Sequence, residues 1–308
     1  MKNLDSKYDA LFTPWKIRDV EIKNRIVLCP MGGTSLFGWM EFTGNHFDKE
    51  AAKFFLDKAR NNVGLIITGI APIKSTYMGQ WLWQNEKMFV ELKEFMKEIH
   101  KTGAKLFIQI TAGMGRSWAI TTPLVPLHNN KVISTLIKPI IDIPYESASP
   151  SELPSRWAEN MTTRALTKKE IEEIIDAFAK TAKLCKEAGV DGVEVHAVHE
   201  GYLLDQFTME CTNKRTDEYG GSFENRYRFP AEIVKAIKAS CGEDYPVSLR
   251  YSVVSKMKNF CEGAVPGEEF EEFGRDMEES EKAAKYLQDA GYDMLNADNG
   301  TYDSWYWS

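Results

Sequence analysis

The sequence predicts an α/β fold of the TIM (β/α)8 barrel type, with about six of the eight strand–helix units present in this chain. Short apolar runs alternate with longer helical patterns, which is typical of a parallel sheet. An open doubly wound sheet would usually carry a G-x-G-x-x-G turn after its first strand, whereas residues 29–34 read CPMGGT. Polar residues also end several different strands, as in barrel active sites. We therefore expect residues 1–308 to form one barrel domain that is incomplete at its C-terminal end.

Six strands are predicted from the apolar runs. They span residues 25–31, 64–69, 105–111, 192–197, 246–251 and 294–298. At or near the ends of these strands stand five polar residues, Gln109, His196, His199, Arg250 and Asn296. A common pocket at one end of the barrel would explain their positions together.

Five helices are predicted between the strands, at residues 48–61, 86–102, 168–188, 226–240 and 280–290. Thr167 and Glu170 form a capping box at the start of the third helix. Gly103, Gly189 and Gly291 follow three of the helices, where glycine supplies a left-handed turn before the next strand. These signals make the helix ends the best-defined boundaries of the predicted fold.

Residues 112–166 lack a clear period and are rich in proline, serine and threonine. We interpret them as a long excursion after the third strand, where barrels carry loops that cover the substrate.

The 308 residues carry 38 lysines and arginines against 45 acidic residues, a net charge of -7. This balance argues against binding of nucleic acid through a general basic surface. The N-terminus lacks a signal-peptide pattern, and no apolar run approaches the roughly 20 residues of a membrane helix, so we expect a cytoplasmic protein. The five cysteines are scattered without a C-x-x-C spacing, which favours reduced thiols and excludes a local iron–sulfur or zinc motif.

The stretch EVHAVHEGYLLDQF, residues 194–207, is the richest in chemically active groups. It allows three interpretations: a metal site, an ordinary strand end that faces water, or a site of proton and hydride transfer. A metal site is disfavoured because the other histidines form no second cluster. An ordinary strand end does not explain why Gln109 and Arg250 end other strands of the same predicted barrel.

Proton and hydride transfer accounts for the whole set. His196 and His199 could donate hydrogen bonds to a carbonyl oxygen and so withdraw electrons from a conjugated C=C bond. The phenol of Tyr202 could then deliver a proton to the alkene. Nothing in the sequence resembles a nicotinamide-binding fold, so a flavin across the barrel mouth is the expected hydride source.

Three segments resemble the Old Yellow Enzyme family of FMN-dependent reductases, and the enoate reductase and dienoyl-CoA reductase branch in particular. They are NRIVLCPMGG at 24–33, HEGYLLDQF at 199–207 and TNKRTDEYGGSFENRYRF at 212–229. The resemblance runs from about residue 11 to the end of the chain. It implies an FMN-binding barrel, while Arg215, Asp217 and Arg226 of the third segment are expected to form a structural salt-bridged loop.

The resemblance also implies the residues that bind FMN. Pro30, Met31 and Gly32 match the segment whose backbone meets the flavin edge near N5 and O4. Gly69 matches a small residue where a larger side chain would crowd the ring. Gln109 matches the amide that bonds the pyrimidine portion. Arg250 matches the cation at N1 and O2, and a carboxylate partner is its alternative if no flavin binds.

On the substrate side, the resemblance implies that His196 binds the carbonyl oxygen and that Tyr202 donates the proton. The second carbonyl-side residue is either His199 or Glu200, because this chain has one residue more than the family pattern between His196 and Tyr202. Tyr302 falls where the branch places a histidine that assists the tyrosine.

We therefore expect an FMN-dependent ene-reductase that acts on an α,β-unsaturated carbonyl compound. The substrate could be an enoate, an enoyl thioester, or a ring enone such as a 3-oxo-Δ4 steroid or bile acid. A homo-oligomer is compatible with this expectation. Two alternatives stay open: a truncated, flavin-free barrel remnant that acts as a binding or structural module, and a metal-dependent hydrolase barrel.

Members of the family close the barrel with two further strands, whose loops hold the FMN phosphate. The branch continues into parts that use an iron–sulfur cluster, FAD and NAD(P)H. None of these parts is found in residues 1–308, so the resemblance implies a truncated chain that binds FMN weakly by itself.

Overall fold

The computed structural model describes residues 6–38, 44–120, 122–158, 160–197 and 201–307. Its strands are β1 (Trp15–Ile17), β2 (Val20–Ile22), β3 (Val27–Leu28), β4 (Leu65–Ile67), β5 (Ala71–Pro72), β6 (Lys105–Thr111), β7 (Gly192–His196), β8 (Val247–Ser252), β9 (Met257–Asn259), β10 (Glu262–Gly263) and β11 (Met294–Asp298). Its α-helices are α1 (Lys49–Arg60), α2 (Glu86–Lys101), α3 (Val125–Asn129), α4 (Lys131–Ile137), α5 (Ile143–Glu146), α6 (Lys168–Glu187), α7 (Leu203–Thr208), α8 (Phe223–Arg226), α9 (Arg228–Cys241) and α10 (Met277–Ala290). Shorter 3₁₀ helices span Ser6–Phe12, Leu82–Gln84, Gly115–Ser117, Thr122–Leu124 and Tyr302–Trp307.

Six parallel strands form a row in the order β3, β4, β6, β7, β8 and β11, and β5 pairs with the end of β6. In chain order, α1, α2, α6, α9 and α10 connect successive strands of the row. This arrangement confirms the predicted fold class, a TIM-type barrel with about six of its eight units. No helix among the described residues is long and apolar enough to cross a membrane.

The ends of the helices follow the predicted caps. Thr167 and Glu170 form the reciprocal capping box of α6, and Asp48 caps α1 by accepting two backbone N–H groups. α10 begins earlier than predicted, because Asp276 caps it and accepts the N–H of Glu279. The predicted helix at 226–240 corresponds to α9, which begins two residues later than predicted, at Arg228, after the separate short helix α8.

The two faces of the sheet differ in chemistry. Alternate residues of β4, β6, β7 and β8 pack against the helices in the main apolar core, among them Ile66, Ile108, Val195 and Leu249. The opposite face carries a smaller apolar cluster in which Leu65, Ile67 and Phe107 contact Ile17 and Ile22 of the β1–β2 hairpin. Further along the strands, the same face carries the polar residues from which the candidate site is built.

The excursion, residues 112–166, is folded rather than structureless. It contains α3, α4 and α5 and a small apolar cluster of its own, formed by Trp118, Ile120, Ile141, Ile143 and Met161. Isolated β-bridges join Tyr77 to Ile141 and Ser149 to Ala165. The excursion therefore packs on the segment that follows β5 and returns to the barrel just before α6.

Candidate active site

A cavity of about 190 Å³ lies at the carboxyl ends of the strands. Its lining residues are Pro30, Met31, Gly32, Ile70, Gln109, His196, Tyr202, Arg250 and Tyr302. Seven of the nine residues predicted for the site are thus brought together. Of the other two, Gly69 lies next to the lining residue Ile70, and His199 falls outside the described residues, as does Glu200.

The parallel register explains why these side chains meet. Thr111 pairs with His196, His196 with Arg250, and Arg250 with Asn296, so four neighbouring strands carry polar residues at the same level near their carboxyl ends. Gln109 lies two residues before Thr111 on β6, where it pairs with Glu194 of β7. The site is therefore a consequence of strand pairing and not of loop conformation alone.

Arg250 is held by two acceptors on β11. Its Nη1 donates to Oδ1 of Asn296 at 2.8 Å, and its Nη2 donates to Oδ2 of Asp298 at 2.8 Å. The carboxylate partner that the sequence left as an alternative is therefore present. These two bonds use two of the five N–H donors of the guanidinium, which leaves donors for a ligand in the cavity.

His196 and Tyr202 face each other in the cavity. Nδ1 of the His196 ring lies 3.3 Å from Oγ1 of Thr111. The ring centroids of His196 and Tyr202 are 4.4 Å apart. Both residues are nearly inaccessible to solvent, with 4% and 5% of their surfaces exposed. The imidazole and the phenol are thus desolvated groups at the edge of one small space.

The position of Tyr202 is fixed by the start of α7. Gly201 has a φ of 70°, which favours glycine, and its N–H donates to Oδ2 of Asp205 at 2.8 Å. The Gly201 carbonyl accepts from Nε2 of Gln206. Asp205 is itself fully buried and forms an ion pair with the buried guanidinium of Arg275.

Tyr302 follows β11, near the last described residues. Its hydroxyl oxygen lies 2.6 Å from that of Tyr202, with the two rings at 85°. Nε of Arg156, in the excursion, donates to the Tyr302 carbonyl at 2.7 Å. The neighbouring Asp303 accepts from Nη1 of Arg116 at 2.5 Å, and both side chains are almost fully buried. The excursion therefore fixes the position of Tyr302.

Gly69 has a steric role inside the protein. A Cβ at this position would lie 2.4 Å from the carbonyl oxygen of Met31 and 2.8 Å from Oγ1 of Thr34. The first atoms that a side chain would meet thus belong to the turn after β3, which carries Pro30, Met31 and Gly32. The crowding of a flavin predicted from the sequence is not needed to explain this glycine.

The segment 212–229 connects the excursion and α10 through arginine side chains. Arg215 forms a two-point pair with Asp217 and donates to the carbonyls of Pro150 and Leu166, so it joins two parts of the excursion. Arg226 pairs with Glu279. These contacts agree with the structural role predicted for the segment.

The sequence suggested Glu194 only as a possible metal ligand, and neither its role as a buried acceptor beneath the cavity nor Asp298 as the partner of Arg250 was predicted. Strand alternation places Glu194 on the same face as His196, and this signal could have assigned it to the interior of the barrel. Among the described residues, no three histidine, cysteine or acidic side chains are grouped so as to hold a metal ion.

Comparison with known proteins gives consistent matches. The family model described as NADH:flavin oxidoreductase / NADH oxidase matches residues 10–296. Cinnamate reductase from Clostridium sporogenes is 44% identical over 99% of this chain. A 2-naphthoyl-CoA reductase, solved in complex with 2-naphthoyl-CoA, superposes with a TM-score of 0.75 at 26% identity over 96% of this chain. Old Yellow Enzyme from a Pichia species gives a TM-score of 0.63 at 28% identity, covering 80% of this chain and 60% of its own. The chain spans 43% of the length of the cinnamate reductase and 41% of the 2-naphthoyl-CoA reductase chain.

Proposed function

Because the chain belongs to the NADH:flavin oxidoreductase / NADH oxidase family, we propose that it is an FMN-dependent ene-reductase of α,β-unsaturated carbonyl compounds. Residues 1–308 act in this proposal as one FMN-binding barrel domain, and the excursion, 112–166, supports its active site through the contacts of Arg156 and Trp157 with Tyr302. The observation that carries the proposal is the meeting of Tyr202, Tyr302 and His196 beside Gln109 and Arg250 in one cavity.

The donors and acceptors of the cavity suit a flavin. Gln109 offers an amide, which can both donate to and accept from the imide edge of the ring. Arg250 offers a fixed positive charge for the N1–O2 side, where the reduced ring is anionic. The backbone at Pro30, Met31 and Gly32 lines the same space. FMN, when bound there, supplies the hydride for the reduction.

Residues of this chain bind the substrate carbonyl and supply the proton. His196 donates a hydrogen bond to the substrate carbonyl oxygen and stabilises the negative charge that develops there. Tyr202 delivers a proton to the alkene carbon. The adjacent hydroxyl of Tyr302 bonds to Tyr202 and offers a path by which that proton is replaced. His199 is proposed as a second donor to the carbonyl on the strength of the sequence.

An enoate is the substrate class that the comparisons favour, since the relative with 44% identity is named cinnamate reductase. An enoyl thioester and a ring enone such as a 3-oxo-Δ4 steroid are the other classes. We propose an aryl enoate as the first substrate to test.

The test compares cinnamate, an enoyl thioester and a ring enone with the full-length, FMN-loaded protein and an artificial electron donor. The saturated analogue of each compound is the control. Reduction of at least one C=C bond, with no reaction of the saturated analogues, is the expected result. Bound FMN with no alkene reduced in any class would contradict the proposal.

A further inference from the structure

The floor of the cavity contains a carboxylate for which the proposed chemistry has no use. Glu194 is fully buried, with 0% of its surface exposed. Its oxygens accept from Nε2 of Gln109 at 2.7 Å, from Oγ of Ser248 at 2.7 Å and from Nδ2 of Asn296 at 3.2 Å. The three donors come from three different strands, β6, β8 and β11.

This arrangement costs free energy that an apolar side chain would avoid, because a buried carboxylate loses its hydration. Burial raises the pKa of Glu194, while the hydrogen bonds from Ser248 and Gln109 and the charge of Arg250 partly lower it. A simple link between strands could be made by packed apolar residues, so a carboxylate at this position requires a further reason.

The reason lies in what a carboxylate imposes on its neighbours. The Glu194 oxygens accept from both adjacent amides, so each amide has its NH2 group turned toward the carboxyl group. Gln109 then has its oxygen and one remaining N–H for the cavity that it lines. Asn296 likewise has its oxygen free to accept from Arg250, as observed at 2.8 Å. One acidic group thus sets the orientation of both polar groups proposed to contact FMN.

We propose that Glu194 is a positioning residue, which orients the Gln109 amide and, through Asn296, the Arg250 guanidinium toward the pyrimidine edge of FMN. That edge has an N–H donor at N3 between two carbonyl oxygens. An amide that presents one oxygen and one N–H is complementary to N3–H and the neighbouring carbonyl. The inference rests on the proposed function, since it requires that FMN binds in this cavity.

The test measures the affinity of the full-length apoprotein for FMN and for N3-methyl-FMN, which lacks the N3 donor. We expect the wild-type protein to prefer FMN by about tenfold or more, as for one well-placed hydrogen bond. Glu194→Met keeps nearly the length of the side chain but removes the acceptor, so neither neighbouring amide is held with its NH2 group toward this position. The preference should then fall to about twofold or less.

Ser248→Ala is the matched control. It removes one buried hydrogen bond to Glu194 but leaves Glu194 bonded to Gln109, so the preference for FMN should stay at the wild-type value. Gln109→Leu should remove the preference, and adding Glu194→Met to it should leave the ratio of the two affinities unchanged.

A Glu194→Met variant that folds and keeps the wild-type preference would overturn the inference and leave the proposed function standing. If this variant does not fold, Glu194→Asp takes its place, alone and combined with Gln109→Leu. A Glu194→Asp variant with the wild-type preference would then overturn the inference, whereas a reduced preference that Gln109→Leu abolishes supports it. A wild-type protein that binds no FMN overturns the proposed function and the inference together.

Discussion

The hydroxyl oxygens of Tyr202 and Tyr302 lie 2.6 Å apart, although the two residues are 100 positions apart in the chain. Two phenols at this distance share a hydrogen bond, in which either oxygen can be the donor. The Tyr202 ring is tilted against the His196 ring, with the two centroids 4.4 Å apart, whereas the Tyr302 ring lies against Trp157 of the excursion. Tyr202 is therefore the phenol beside the proposed carbonyl site, and Tyr302 lies behind it.

The first prediction follows from this order. Tyr202→Phe should leave the reduction of FMN by its electron donor unchanged, but slow the reoxidation by an enoate by ~10²–10⁴-fold, as expected for loss of a general acid. Tyr302→Phe should slow it less, by ~10-fold, because Tyr202 keeps its own proton. Stopped-flow absorbance of the flavin separates the two half-reactions.

Tyr292→Phe is the control for both substitutions, because the buried Tyr292 hydroxyl donates to the Pro230 carbonyl, outside the cavity lining. It should reoxidise at the wild-type rate. If Tyr202→Phe reoxidises as fast as this control while Tyr302→Phe is slow, the roles of the two phenols are exchanged.

A second prediction concerns the buried pair between Arg116 and Asp303, whose side chains are 1% and 2% exposed. Arg116→Met leaves the buried Asp303 carboxylate with Arg156, at 3.9 Å, as its remaining charge partner, and should lower the free energy of unfolding by up to about 3–5 kcal/mol. Combining it with Asp303→Leu should recover a large part of this loss. Urea denaturation measures the two single variants and the double variant, and a loss in the double variant equal to the sum of the single losses would show that the charges are not coupled.

The third prediction is a pH dependence of stability set by Glu146, on α5 of the excursion. Burial raises the pKa of this carboxyl from 4.5 to about 7, against a hydrogen bond from Thr76 and the charge of Lys74. The native protein thus binds this proton more tightly than the unfolded chain does. The Glu146 contribution should therefore reduce the free energy of unfolding as the pH rises from 4.5 to 7, by roughly 1–3 kcal/mol.

Urea denaturation at a series of pH values tests this, with Glu146→Gln as the variant that should lack the decrease. Glu170 provides a contrast of opposite sign. Burial alone would raise its pKa, but hydrogen bonds from Arg164 and from the Thr167 backbone lower it to about 2. Its contribution is present above its unfolded pKa of 4.5 and is lost as the pH falls toward 2. An unchanged decrease between pH 4.5 and 7 in Glu146→Gln would assign it to other groups.

A fourth prediction separates two neighbouring glycines. Gly69→Ala places a Cβ against the Met31 carbonyl and should destabilise the protein by about 1–3 kcal/mol, because the turn after β3 has to move. A Cβ at Gly32 meets no protein atom within 4 Å. Gly32→Ala should therefore keep the stability of the apoprotein but weaken FMN binding. Equal effects of the two substitutions on apoprotein stability would contradict this.

The elements that the sequence predicts well are those with local signals. The predicted strands at 105–111 and 294–298 coincide with β6 and β11, and the capping box at Thr167 places the start of α6 correctly. The three helices of the excursion were not predicted because they have only five, seven and four residues, too few for a helical period to appear. The β1–β2 hairpin was not predicted either, because three residues in each strand are too few to show the alternation of a strand.

The site divides in a similar way. Gln109, His196 and Arg250 could be assigned to one pocket because each occupies or adjoins the end of a strand, and parallel pairing aligns those ends. The contact between Tyr202 and Tyr302 could not be derived from periodicity. It depends on hydrogen bonds that Arg116 and Arg156 make across 187 and 146 residues of chain, and no local pattern encodes such distances.

In the proposed reaction, bound FMN would supply the hydride and Tyr202 the proton that reduce the C=C bond of an α,β-unsaturated carbonyl compound. A single-turnover reaction tests it most directly. The full-length, FMN-loaded protein is reduced without oxygen and mixed with one equivalent of cinnamate, while flavin absorbance and product are followed together. We expect the absorbance of oxidised flavin to return while one equivalent of 3-phenylpropanoate forms. A flavin that stays reduced with cinnamate, an enoyl thioester and a ring enone alike, yet is oxidised at once by oxygen, would contradict it.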